Sequence, residues 1–167
     1  MTSVRKGAER DLERIAAIKV RTWSDTYGPL IEPEVLRRFL DQAAQQAYLR
    51  EKTRSANTIL LVAEDEREVV GFALTFLDHG PDPWLESLHV HPDAQSRGIG
   101  TLLMRATASE LRRRGRHSLQ LGVIEGNTAA ERFYERLGAV DAGREPTSWA
   151  SGVTHHLYRW PTLDALA

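Results

Sequence analysis

Residues 95–100 read QSRGIG, with Gly98 and Gly100 separated by one residue, between an apolar run ending at Val90 and a long amphipathic run beginning at Ile99. Glycines at the join of a strand and a helix let backbone approach a bound group closely. The unpaired N–H groups that open a helix, here from about Arg97 to Thr101, suit an anion such as a pyrophosphate. Two well-known phosphate loops do not fit. The dinucleotide fingerprint wants a third glycine where Leu103 stands, and the lysine-bearing phosphate loop wants Lys where Thr101 follows Gly100. A plain strand-to-helix turn is the other reading of the same residues.

The chain around this loop has 167 residues, 41% apolar and 27% charged, which is enough for one domain with a real core. One domain over 1–167 is therefore expected. Lys and Arg number 22 against 23 Asp and Glu, so no global field recruits nucleic acid or an anionic membrane. The absence of cysteine excludes disulfides, zinc-thiolate sites and thiol nucleophiles. The opening MTSVRKGAERDLER has no apolar signal core and no run is long enough to span a membrane, so a cytoplasmic location is expected.

Hydrophobic spacing supplies the elements that must position the loop. A strand at Ser3–Arg5 precedes a helix with Leu12, Ile15, Ala16, Val20 and Trp23 on one face and Asp11 as its N-cap. After YGPL, a second helix runs from Pro33 with Leu36, Phe39, Leu40, Ala43 and Ala47 on one face. TILLVAE and EVVGFALTFL form an antiparallel hairpin across DEREV, and WLESLHV is the next strand. Ile99, Leu102, Leu103, Ala106 and Leu111 give the following helix its buried stripe, and SLQLGV is a further strand. In NTAAERFYERLG, Thr128 and Glu131 read as a capping box, with Ala129, Ala130, Phe133, Tyr134 and Leu137 facing inward. Strands at Ala139–Arg144 and Thr154–Trp160 complete an α+β domain. Its twisted, mostly antiparallel sheet has about six to seven strands flanked by about four helices.

Gln95, Gly98 and Gly100 match the Q/R-x-x-G-x-G/A signature, and NTAAERFYERLGA matches N-x-x-A-x-x-F/L-Y-x-x-x-G-F, in the expected order with a strand between. On these two motifs the chain resembles the GNAT family of N-acetyltransferases, with motif-level likeness over residues 84–140. The resemblance implies acetyl-CoA as co-substrate and no metal. It places the pyrophosphate on Gln95, Arg97, Gly98, Ile99, Gly100 and Thr101, and the pantetheine arm along Leu88 and Val90 with a polar contact from Asn127. It also implies direct acetyl transfer to an amine without an acyl-enzyme, with the Val90 N–H stabilising the oxyanion. An alkylammonium with a pKa near 10.4 is only about 0.1% neutral at pH 7.4, so a proton acceptor is needed. Glu86 stands where several members carry that base, and strand alternation puts it on the face of Leu88 and Val90. Gly122 replaces the glutamate that many members carry in the next strand; Glu125, His89 and His91 are the remaining alternatives. Tyr134 takes the general-acid position, protonating the departing thiolate.

The acceptor is less legible. Trp23, Tyr27, Trp84 and the acids of DHGPDP could wall a pocket for a cationic amine. LGVIEGN looks similar to the small-amine and polyamine subgroup, which favours a polyamine-like or amino-acid-like acceptor. Acetylation of peptide or protein amines, or a CoA-binding module without catalysis, are the alternatives. RRRGR at 112–116 could reach the 3′-phosphate of CoA, or simply end its helix in solvent. Nucleic acid and membrane are not expected partners, and a homodimer is an open option.

Overall fold

The computed structural model describes Met1–Ala167. Its strands are β1 (Ser3–Lys6), β2 (Thr58–Asp65), β3 (Glu68–Phe76), β4 (Trp84–Val90), β5 (Leu119–Ile124), β6 (Val140–Pro146) and β7 (Thr154–Trp160). Its helices are α1 (Leu12–Tyr27), α2 (Pro33–Arg37), α3 (Gln42–Thr53), α4 (Ile99–Arg113) and α5 (Thr128–Arg136). All seven strands join one sheet in the order β1-β2-β3-β4-β5-β7-β6, antiparallel except where β4 meets β5. Alternate residues of the strands feed two cores, because successive side chains point to opposite faces. Leu61, Ala73, Leu121 and Tyr158 pack with Leu103, Met104 and Leu111 of α4, while Leu60, Phe72 and Leu74 pack with Ile15, Ile18 and Leu49 of α1 and α3.

Several local expectations are corrected. The helix from Pro33 is broken after Arg37: the Asp41 side chain accepts from the Ala44 N–H at 3.0 Å and starts α3 afresh. The break frees Phe39 to turn onto Trp23, with Gln45 donating to the Phe39 carbonyl at 3.2 Å. Asp11 holds the N-cap position of α1, but its side chain makes no cap hydrogen bond there; its carboxylate accepts from the Ala8 N–H at 2.7 Å and pairs with Arg5, closing the 3-10 turn before the helix. In α4 the stripe includes Met104, Thr107 and Ala108, and Leu102 lies 38% exposed. The cap of α5 is Asn127, whose oxygen accepts from the Ala130 N–H at 3.3 Å, and Glu131 pairs with His156 instead of closing a capping box. Ala129 is exposed rather than inward.

One irregularity positions the site. Opposite β3, Leu74 pairs with Ser87 and Thr75 with Leu85, which leaves Glu86 as the extra residue of a bulge. A bulge bends its strand and re-aims the side chain it carries. Immediately beyond, β4 and β5 separate: their pairing is confined to Trp84 and Gln120. The sheet therefore opens into a V between Glu86–Val90 and Gly122–Ile124.

Candidate active site

The β4 edge of this V is unpaired backbone. The His91 N–H bonds across to Val70, so alternation turns the Leu88 and Val90 N–H groups away from β3 and into the gap. At the end of β4 the loop curls into α4 through Ser96 and Gly98, both left-handed at φ 65° and 77°. The N–H groups from Ser96 to Thr101 have no acceptor in the protein, and Leu102 is the first to bond back, to Gly98. That run of free donors at a helix N-terminus is an anion cradle. The two glycines serve it differently. Around Gly98 a Cβ would meet nothing within 4 Å, whereas at Gly100 it would come 3.1 Å from Phe133 of α5. Gly98 thus allows the turn, and Gly100 allows the two motif helices to pack. Gln95 donates to the Val90 carbonyl at 3.0 Å and fixes the loop to the strand; Arg97 is exposed, bonding Asp93 at 3.1 Å and lying 3.8 Å from Asp65.

The basic run 112–116 lies at the other end of α4, about 22 Å along a 15-residue helix from this loop. Its arginines serve the fold. Arg112 donates to the Leu163 carbonyl, Arg116 to Leu77, and Arg114 to Ala56 and Glu110.

On the α1 side the V opens into a cavity of about 790 Å³. Trp23 stacks on Phe39 and meets Tyr27 edge-on, each at 4.8 Å, and Trp149 closes the box 5.0 Å from Phe39. Trp84 forms another wall, stacked with His79 at 4.6 Å. Of the DHGPDP acids, Asp82 reaches this wall but is spent on Arg159 and Ser118, at 2.8 and 2.6 Å. Its carboxyl is held below the ordinary range, chiefly by Arg159.

Glu86 also faces this cavity, because the bulge sets it on the face opposite to Leu88 and Val90. Trp84 Nε1 donates to its Oε2 at 3.0 Å and the Tyr48 hydroxyl to its Oε1 at 3.4 Å. Buried Lys19 sits 4.8 Å over the Tyr48 ring; burial lowers its pKa and the Glu86 charge opposes that shift. The other base candidates are placed elsewhere or disabled. His89 packs on Phe72 with Nδ1 2.8 Å from Thr22 Oγ1, and burial followed by the Lys19 charge pushes it down to about 3. Such an imidazole holds no proton taken from an ammonium. His91 accepts from the Asp93 N–H and caps a 3-10 turn, and Glu125 is exposed and paired with Arg144 at 3.2 Å.

Tyr134 reaches the same cavity from α5, its ring against Phe133 and Trp160. Its hydroxyl has no partner in the protein, and burial, with nearby Tyr27, drives its pKa up, so it stays protonated across the neutral range. Asn127 caps α5 and also lines the cavity, on the α1 side of which Tyr27 is pushed up by burial, with Asn127 opposing that shift. A proton donor, a carboxylate and an unpaired strand edge thus converge on one gap, with an anion cradle at its end.

Residues 13–139 match the family model described as the acetyltransferase (GNAT) family. The chain belongs to that family. As a GNAT acetyltransferase it uses acetyl-CoA as its acetyl donor. The L-methionine sulfoximine/L-methionine sulfone acetyltransferase of Pseudomonas aeruginosa is 28% identical over 149 residues, 86% of this chain and 83% of that protein. PaiA N-acetyltransferase from Thermoplasma acidophilum, solved with coenzyme A, superposes with a TM-score of 0.78 at 17% identity, covering 95% of this chain and 98% of that one. YncA from Salmonella typhimurium, solved with acetyl-CoA, gives 0.76 at 21% identity over 98% and 95%. The GNAT fold expected from the two motifs is the fold observed. No helix is long and apolar enough to cross a membrane.

Two features of the site were missed in the sequence. Trp149 and Phe39 wall the aromatic cavity, although nothing in their spacing points there. His155 also lines the cavity, and its signal was Gly122: a glycine inside a strand marks a close approach.

Proposed function

We propose that this acetyltransferase transfers acetyl to the primary amine of a small polyamine-like or amino-acid-like molecule bound in the aromatic cavity. The observation that carries this reading is the cavity itself, which ends at the unpaired β4 edge and carries at that end Glu86, a carboxylate with no arginine or lysine bonded to it. Aromatic faces and one carboxylate are what an alkylammonium recognises. The 28% identical relative, which by its name acetylates L-methionine sulfoximine and sulfone, supports an amino-acid-like acceptor.

In this reading the pyrophosphate of acetyl-CoA rests on the free N–H groups of Ser96–Thr101, with Gln95, Arg97, Gly98, Ile99, Gly100 and Thr101 around it, and the pantetheine arm lies along Leu88 and Val90. Asn127 stands at the other side of the gap as a polar contact to that arm. Glu86 binds the ammonium and takes a proton from it. The nitrogen lone pair then adds to the thioester carbon while the Val90 N–H stabilises the oxyanion; the C–S bond breaks, the sulfur receives the Tyr134 hydroxyl proton, and of the two protons shed by nitrogen one restores the phenol and the other leaves to solvent. The free Tyr134 hydroxyl supports that assignment.

An assay of acetyl-CoA with polyamines, amino acids, aminoglycosides and short peptides, read as free-thiol release, tests the reading. Small amines should be turned over at least ~10-fold more efficiently than peptides, and preference for peptides overturns it. Tyr134→Phe should lower turnover roughly 100-fold with acetyl-CoA binding retained.

A further inference from the structure

An ammonium that becomes an amide loses two protons from nitrogen, one before attack and one as the tetrahedral intermediate collapses. Glu86 accounts for one acceptor, and both its oxygens already receive a donor, from Tyr48 and Trp84. A second acceptor at the cavity can carry the other proton away from nitrogen, toward the phenol or to solvent. His155 is placed for it. It projects from β7 onto the same face of the sheet as Gly122 and Ile124, whereas its neighbours His156 and Tyr158 point to the α5 side. A Cβ on Gly122 would meet its ring at 2.7 Å from Cγ and 2.8 Å from Nδ1. The imidazole thus occupies the space that a side chain at position 122 would fill. Its ring lies between Trp84, 6.2 Å away, and Trp149, 6.3 Å away, and neither ring nitrogen bonds to the protein.

We propose that His155 is the second proton acceptor of the amine site, its imidazole standing over Gly122 at the wall that Trp84 shares with Glu86. The proposal rests on the cavity being the acceptor site. One proton of the nitrogen passes to Glu86 and the other to His155, directly or through water. The C–N bond forms as the C–S bond breaks, Tyr134 protonates the sulfur, and one acceptor proton restores the phenol while the other leaves to solvent. The charged groups around His155 are few. Glu145 pairs with it across β6, Glu86 lies beyond Trp84, His79 stacks on the far side of that indole, and Arg38, just past the end of α2, bonds the Trp149 carbonyl. Burial lowers the imidazole pKa, with Glu145 opposing, so the ring is neutral and able to accept at neutral pH.

Three variants test this against a structural role. His155→Gln should lower kcat/KM for the amine at least ~100-fold near neutral pH, the lower end of general-base effects, with KM for acetyl-CoA unchanged. The wild-type profile should carry an acid limb below pH ~6.5, the ordinary histidine value, and the variant should lack it. His155→Phe keeps a flat ring between the two tryptophans, so it should be as poor as Gln. Activity within threefold of wild type in the Phe variant makes the ring mere wall and overturns the proposal. Gly122→Ala leaves position 155 intact but pushes the ring aside, and should reproduce the loss in part. If both position-155 variants fail to fold by thermal melting, an unchanged rate and profile in Gly122→Ala overturns the proposal by itself. A wild type that binds CoA yet acetylates no amine refutes the acceptor reading; an active wild type matched by all three variants refutes only the role of His155.

Discussion

On the α4 side of the V the half of the site proposed to hold the acetyl donor is made mostly of backbone: free N–H groups from Ser96 to Thr101, the unpaired edge of β4, and a left-handed turn at Gly98. On the α1 side the acceptor half is made of side chains drawn from distant segments, Trp23 and Phe39 before the hairpin, Trp84 on β4, Trp149 and His155 after β6. A backbone site tolerates change only where glycine and register are kept, because its donors have fixed positions. A side-chain box can be refilled one residue at a time. In the proposed reading the donor half therefore fixes the reaction class, and the acceptor half selects the substrate within it.

The sharpest way to separate the halves is at Gly98. Its φ of 77° is a region that non-glycine residues seldom adopt, and the space beside it is open. Gly98→Asp adds both backbone strain and a negative charge beside the phosphate cradle. At 100 times its dissociation constant, free CoA should stabilise wild type by about 2.7 kcal/mol, and the variant should show almost none of that shift at the same concentration. Activity at limiting acetyl-CoA should fall in step with the lost cofactor affinity. An equal thermal shift in both proteins would take the loop out of the donor site. Gly100 is a poorer target, since Phe133 lies 3.1 Å from its would-be Cβ and a loss there would report packing.

The acceptor half should answer in the opposite manner. Trp149→Ala removes one face of the aromatic box without touching β4 or the loop. A desolvated aromatic face is worth up to about 2 kcal/mol to a cation. KM for a small amine should rise about 10-fold, while acetyl-CoA affinity and the rate at saturating amine stay near wild type. A raised KM for acetyl-CoA instead would mean that the two halves are not separable.

The same contrast explains what could be read in advance. Gln95, Gly98 and Gly100, and the Asn127–Gly138 run, are local patterns whose spacing is set by one turn and one helix, so the loop and the proton-donor helix were legible. Glu86 was legible by position but misplaced by face, since alternation assumes an unbroken pleat and the bulge at that residue inverts it. The single helix expected from Pro33 failed for a similar reason: its apolar spacing persists through Phe39 and Leu40, but Asp41 offers the chain a new cap. His155 belongs to no local pattern. Its place follows from pairing β7 beside β5, a contact between residues more than thirty apart in the chain.

The smallest expected effect lies at the hinge of the donor half, where His156 ties α5 to β6 and β7. Its Nδ1 is 3.1 Å from Glu131 and its Nε2 2.9 Å from Asp141. Burial pulls the imidazole pKa down, but the bonds to Asp141 and Glu131 outweigh it and the net shift is upward. A group whose folded pKa is raised contributes its full stability below its unfolded pKa, near 6.5, and loses it as pH rises through the folded value. Relative to His156→Gln, wild type should thus melt at a higher temperature at pH 6 than the variant does, and this advantage should shrink above pH 7 and vanish by alkaline pH. The neighbouring Asp141 carboxyl is itself held low, first by the Gly143 N–H and then by His156, so it remains charged throughout this window and does not blur the comparison. Because α5 presents Tyr134, turnover should follow stability only near the melting range. A pH-independent difference between the two proteins would reduce the pair of contacts to neutral hydrogen bonds, and turnover that falls with pH well below melting would mean that His156 steers Tyr134 directly.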